Sequence, residues 1–305
     1  MEFCREVLDL TFLGEGQNGI VLLINGCVNG RNVVKLTYSD PFVQEAKLAQ
    51  RLDVLKPETQ AFISVYGFYE HDGIIPEWKP LLPIHDQDGN DIDWDKYDSK
   101  HLVYIFMEHS NYRMRYPFAS AGTGVVFWET MTPKDCKQVM FILLHGLYVA
   151  RKKLGFSHND IHDGQIVLFK RNPRVPILLG KDYQILNCRF MPKFIDFGAS
   201  ILNGDFSDDV AQVVAVFHRL FPLNRLMDTP EFEEAAGSDP KDAQVVKRFM
   251  NVAYFNEFRL KKSRKTKIRL CIGCLAEATH VIEDTNFHVC GERCAEHYIK
   301  TKTNL

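Results

Sequence analysis

Short apolar runs alternate with Gly- and Asn-bearing turns from residue 6 to residue 38. Val7-Leu8-Asp9-Leu10-Thr11-Phe12-Leu13 is followed by Val21-Leu22-Leu23-Ile24, a turn at Asn25-Gly26, another at Asn29-Gly30, and Val33-Val34-Lys35-Leu36. This pattern predicts a run of antiparallel hairpins. The period then changes: Phe42, Ala46, Ala49 and Leu52 fall on one face of a predicted helix over 41–52. Residues 70–100 are polar and turn-rich and read as a solvated insertion, and residues 101–109 as a buried strand ending in a polar pair. Thr132-Pro133-Lys134-Asp135 carries helix-start signals, and the stretch after it is apolar almost all round. It predicts a buried central helix running to about Lys153. Residues 170–189 read as an elongated hairpin. Ser207 to Leu220 reads as a second buried helix capped by Asp208 or Asp209, and Ala243 to Phe258 as a third.

At 305 residues, 46% hydrophobic and 25% charged, the chain has room for a two-lobed enzyme and a small extra module. No apolar run reaches the roughly 18–20 residues that span a bilayer. The start, Met1-Glu2-Phe3-Cys4-Arg5-Glu6, lacks the basic opening and apolar core of a signal peptide. The expectation is an intracellular, cytoplasmic protein without a membrane span. The net charge of −2 divides unevenly: residues 259–305 hold ten basic and five acidic side chains, leaving an acidic body. Arg259 to Arg269 carries seven positive charges, which serve either a solvated linker or an anionic partner such as nucleic acid.

Four motifs carry chemistry. Gly14-Glu15-Gly16-Gln17-Asn18-Gly19-Ile20-Val21 lies within the hairpins, where glycines let backbone N–H groups approach phosphate oxygens. Lys35 follows on a Val-Val strand, with Glu45 ten residues on as its natural partner. Alone, each could also be a solvated residue. His158-Asn159-Asp160-Ile161-His162-Asp163-Gly164-Gln165 precedes an apolar run, and Lys193-Phe194-Ile195-Asp196-Phe197-Gly198 ends a strand on a carboxylate and a turn.

In this order the motifs resemble the glycine loop, lysine strand, catalytic loop and metal loop of the protein-kinase superfamily. The resemblance covers roughly residues 6–258. It implies a nucleotide site of Gly14, Gly16, Gly19, Val21 and Lys35, with Met107 and the backbone of 108–110 around the base. Lys35 would contact the α- and β-phosphates, braced by Glu45. Asp160 would be the catalytic base, Asp196 a Mg²⁺ ligand and Gln165, one methylene longer than the usual Asn, a second. His158 would brace the loop. Asn159 and His162 stand where many protein kinases carry Arg and Lys, and no Ala-Pro-Glu follows Gly198. The pattern is nearer to haspin-like, aminoglycoside-kinase-like and large-DNA-virus kinases. A viral chain would act in the host cytoplasm or the virion.

The tail is separate chemistry. Cys271-Ile272-Gly273-Cys274 and, after fifteen residues, Cys290-Gly291-Glu292-Arg293-Cys294 have the spacing of a structural zinc site, similar to a treble-clef finger. Four thiolates close the shell. The acidic patch His85 to Asp95 alternates Asp and Gly like a calcium loop, but its twelfth position from Asp86 is Tyr97 where a Glu is needed.

The expected architecture is α+β and bilobal, protein-kinase-like, with a mainly antiparallel β N-lobe (1–109), a trimmed helical C-lobe (110–258) and a basic linker with a zinc module (259–305). The expected activity is ATP- and Mg²⁺-dependent phosphoryl transfer to Ser or Thr hydroxyls of a protein substrate. The alternatives are a small-molecule kinase and a non-catalytic pseudokinase scaffold that binds a partner through its zinc finger.

Overall fold

The computed structural model describes residues 7–16, 19–27, 30–38, 41–86, 88–110, 112–113, 131–173, 175–203, 209–220, 244–251, 253–260, 280–281 and 288–289. The chain is a mixed α+β protein whose main sheet is antiparallel, an arrangement compatible with two lobes. Three hairpin strands open it: β1 (Asp9–Gly16), β2 (Gly19–Cys27) and β3 (Gly30–Tyr38). Helix α1 (Pro41–Asp53), β4 (Val65–Asp72), a one-turn α2 (Asp95–Asp98) and β5 (His101–Glu108) follow. The sheet order is β1-β2-β3-β5-β4, which places the most apolar strand, β5, between β3 and β4.

The period-two alternation of β5 divides the core. Leu102, Tyr104 and Phe106 face a cluster with Leu22, Ile24, Val34 and Leu36, while Val103 and Ile105 face the larger cluster around α1 and the central helix. The large core therefore takes side chains from both sides of the expected lobe boundary.

The stretch from 73 to 100 is more than a solvated insertion. Trp78, on a 3₁₀ turn at Pro76–Leu81, and Tyr97 are buried against the outer sheet face, and Trp78 meets Tyr104 edge-on at 5.5 Å. A few aromatic anchors among polar neighbours leave no periodic signal, which is why the sequence pattern missed them. Asp86 closes a tight turn. Its Oδ1 accepts from the N–H groups of Asp88 and Asn90, both at 2.8 Å. Those contacts, led by Asn90, hold its carboxyl below the usual range.

After the short β6 (Tyr112–Arg113) comes α3 (Pro133–Leu154), the predicted central helix. Thr132 Oγ1 accepts from Asp135 N while Asp135 accepts from Thr132 N, a reciprocal N-terminal cap. Gly155 ends the helix at φ 64°, and a Cβ there would lie 2.7 Å from Asn203 Oδ1. Strand β7 (Ile166–Lys170) and β10 (Phe190–Phe194) pair antiparallel and flank the two motif loops, with β6 completing the sheet. Between them β8 (Ile177–Leu179) and β9 (Tyr183–Ile185) form the expected hairpin. Helix α4 (Asp209–Leu220) packs on α3. The single helix expected over 243–258 is broken into α5 (Gln244–Met250) and a 3₁₀ turn, Ala253–Phe258. The break lets Phe249, Phe255 and Phe258 all turn into the core beside Phe141. In the tail, β11 (His280–Val281) pairs with β12 (His288–Val289). No helix among the described residues is long and apolar enough to cross a membrane.

Candidate functional site

Lys35 lies on the β3 face opposite the Val34–Leu36 cluster, paired across the sheet with Val21 and Ile105. Helix α1 aims Glu45 at it from the face that also buries Ala46, Ala49 and Leu52. Lys35 Nζ donates to both Glu45 oxygens at 3.0 Å and to Asp196 Oδ1 at 2.8 Å. Burial works against the ammonium, but the two carboxylates outweigh it and raise its pKa. Burial, helped by the charge of Asp196, pushes Glu45 up against the pull of Lys35. Asp196 resists its own burial because Lys35 and Gln165 both hold it ionised, so its pKa is lowered. One cation thus serves two carboxylates, and the more open one is the one whose pKa is lowered.

Asp196 follows β10 at φ 61°, a left-handed backbone that costs a non-glycine residue about 1–2 kcal/mol. The bonds to Lys35 and Gln165 hold it there. Gln165 ends a 3₁₀ turn, Asp163–Gln165, and is buried. Its Nε2 donates to Asp196 Oδ2 at 3.2 Å and reaches Asp160 Oδ2 at 3.5 Å. Asp160 and Asp196, thirty-six residues apart in sequence, therefore meet on one amide group. Their side chains are 55% and 41% exposed, so the cluster opens to solvent on the carboxylate side. His162 sits at the rim with Nε2 3.9 Å from Asp160 Oδ2, and its Nδ1 accepts from Gly164 N.

The loop carrying Asp160 is shaped from outside. Asp209, fully buried at the start of α4, accepts from His158 N at 2.8 Å, Asn159 N at 2.9 Å and Ser157 Oγ at 3.2 Å. Gln212 Oε1 accepts from Ile161 N at 2.8 Å. Of the two acids that could cap this helix, Asp209 is the one that binds the loop; Asp208 lies outside the described residues. His158 is buried among Phe156, Phe194 and Phe197, and burial lowers its pKa. Its neutral ring donates from Nε2 to Ile195 O at 3.2 Å, tying the Asp160 loop to the strand before Asp196.

Gly14, Gly16 and Gly19 lie at the turn end of the β1–β2 hairpin, with Gly16 opposite Gly19 and a register shift between Phe12 and Gly14. A Cβ on Gly19 would sit 2.1 Å from Leu36 O, so β3 already requires a glycine there. Met107 packs against the large core. Glu108 N–H donates to Ser64 O at 3.1 Å. Its carboxylate accepts from Ser64 N at 2.6 Å and from Lys193, whose ammonium lies over the Phe169 ring. Glu108 thus ties β5 to β10, and its N–H is not presented to a base. The sequence reading missed Ser64, Lys193 and Gln212, because a clamp between distant strands leaves no spacing signature.

Asp160 and Asp196 offer hard oxygen donors, and among the described residues no three His, Cys, Asp or Glu side chains gather as a metal shell. Two carboxylates beside a buried ammonium suit a Mg²⁺ ion that completes its shell with phosphate and water. Cys271, Cys274, Cys290 and Cys294, and all but the start of the basic stretch, lie outside the described residues. Comparison with known proteins finds no protein-family model and no curated protein that matches the chain.

Proposed function

We propose that this chain is an ATP-dependent phosphotransferase that delivers a terminal phosphoryl group to a Ser or Thr hydroxyl of a protein. One observation carries the reading: β3, α1, the 158–165 loop and the turn after β10 bring Lys35, Glu45, Asp160, Gln165 and Asp196 into one cluster open on its acidic side. Lys35, fixed by Glu45, binds phosphate oxygens of the nucleotide. Asp160 receives the hydroxyl proton and aims the oxygen at the phosphorus. Asp196 would hold Mg²⁺, which when bound neutralises charge building on the transferred group. Asp209 and His158 keep Asp160 in place without touching substrate. The glycines at the β1–β2 end cover the phosphates.

The test is transfer from γ-labelled ATP to a mixed protein substrate by wild type, D160A and D196A. Label in the wild type alone is expected, and equal label in all three removes the reading. Label confined to small hydroxyl compounds selects a small-molecule kinase. A second reading, a nucleotide-binding scaffold without transfer, draws on the direct Lys35–Asp196 bond, in which the two charges satisfy each other. It predicts bound nucleotide and no label in any variant. The tail belongs to the same proposal as an intracellular structural zinc module of Cys271, Cys274, Cys290 and Cys294, checked by one zinc per chain in elemental analysis.

A further inference from the structure

Gln165 is pinned by its backbone. Its N–H donates to His162 O at 2.9 Å and its carbonyl accepts from Ile195 N at 3.0 Å, so the side chain leaves a fixed point between the two motif loops. Only 7% of the residue is exposed. Its amide lies between Asp160 Oδ2 and Asp196 Oδ2, and the NH₂ must face them, since a carbonyl oxygen there would confront two anions. The NH₂ has two hydrogens, one for each carboxylate. Asp196 Oδ1 is already taken by Lys35 at 2.8 Å. The space between the carboxylates is therefore filled by a neutral donor.

We infer that Gln165 is a positioning residue, a neutral tie that holds Asp160 and Asp196 on one amide and limits the pair to one divalent cation. This rests on the phosphotransferase reading. A cation bridging the two carboxylates would have to displace the NH₂ and strip a buried amide of both acceptors, leaving a buried polar group unpaired. A shorter or anionic side chain at this position lifts that restriction.

The measurement is the number of Mn²⁺ ions per full-length chain, counted by electron paramagnetic resonance of free Mn²⁺ under saturating non-hydrolysable ATP analogue. Wild type binds one. Q165D, which replaces the donor by a carboxylate, binds two, and Q165E serves if Q165D melts early by circular dichroism. Two ions or none in wild type overturns the inference, as does a single ion in wild type and in a folded acidic variant alike. Nucleotide uptake is followed separately with a fluorescent ATP analogue. If uptake is absent while the Mn²⁺ count still rises from one to two, the ATP reading fails and the tie stands.

Discussion

Two of the described lysines are held against carboxylates with little exposure, and they differ in what is left open. Lys193 and Glu108 are 11% and 17% exposed, with an aromatic ring under the ammonium and Ser64 N on the carboxylate. Lys35 and Glu45 are as deeply buried at 11% and 5%, yet a second carboxylate, Asp196, joins them with 41% of its side chain in solvent. The first pair is closed on itself and serves as a clamp between β5 and β10. The second has an extra anion facing outward and a cation shared between two acids, so an arriving phosphate and metal can take over partners already in place. Burial alone does not mark a site; a buried pair with one open member does.

The comparison breaks most sharply at Lys35. K35M is expected to cut phosphoryl transfer by about 100-fold or more. It should also lower stability by about 3–5 kcal/mol, because Glu45 stays buried without its cation. The double variant K35M/E45Q should regain most of the stability in urea unfolding and none of the transfer. Wild-type transfer by K35M would remove Lys35 from the chemistry. K193M should cost about 2–3 kcal/mol, somewhat less, since Ser64 N still serves Glu108. Binding of a fluorescent ATP analogue should survive in K193M, and a loss as deep as that of K35M would erase the distinction between clamp and site.

At a third buried group, His145, burial outweighs the acids that act on it, Glu58 and Asp182. His145 is 3% exposed, its Nδ1 finds no partner among the described residues, and burial pulls its pKa down to about 4. The unfolded chain takes up this proton near pH 6.5 and the folded chain only near 4. Its contribution is therefore complete above pH 6.5 and is lost as pH falls towards 4. At pH 5 the loss is about 2 kcal/mol, at roughly 1.4 kcal/mol per pH unit. His158, also lowered by burial, acts in the same direction. Urea midpoints at pH 7.5 and 5 should show a smaller drop in H145L than in wild type, and equal drops would assign the acid sensitivity elsewhere. G19A is expected to cost about 1–3 kcal/mol by overpacking, with no direct loss of a charged partner, as the new methyl presses on the Leu36 carbonyl beside Lys35. Thermal melting reads it, and an unchanged melting temperature would mean that the hairpin end has room to move.

Much of this was legible in the chain. The hairpins, the helix from Thr132 and the pairing of Lys35 with Glu45 followed from period, caps and residue type, because each is dictated within a few residues. The meeting of Asp160 with Asp196 was what the family resemblance of their two motifs implied. What was not legible depends on contacts between remote segments. Trp78 and Tyr97 give no periodicity, Glu108 is drawn into a clamp by Lys193 eighty-five residues away, and the kink at Asn251 serves three phenylalanines entering one core. The side of the amide that Gln165 presents is equally beyond a sequence, since it is set by two neighbouring anions.

Asp209 separates the form of the 157–161 loop from the spelling of that loop. Two of the three groups that its carboxylate receives are main-chain N–H groups, which every residue but proline supplies. Part of the curve of the loop is therefore stored in another helix, in bonds that do not depend on the side chains of residues 158 and 159. Asp160 is held in place by a carboxylate about fifty residues further along the chain, so damage to α4 would reach the site without touching it.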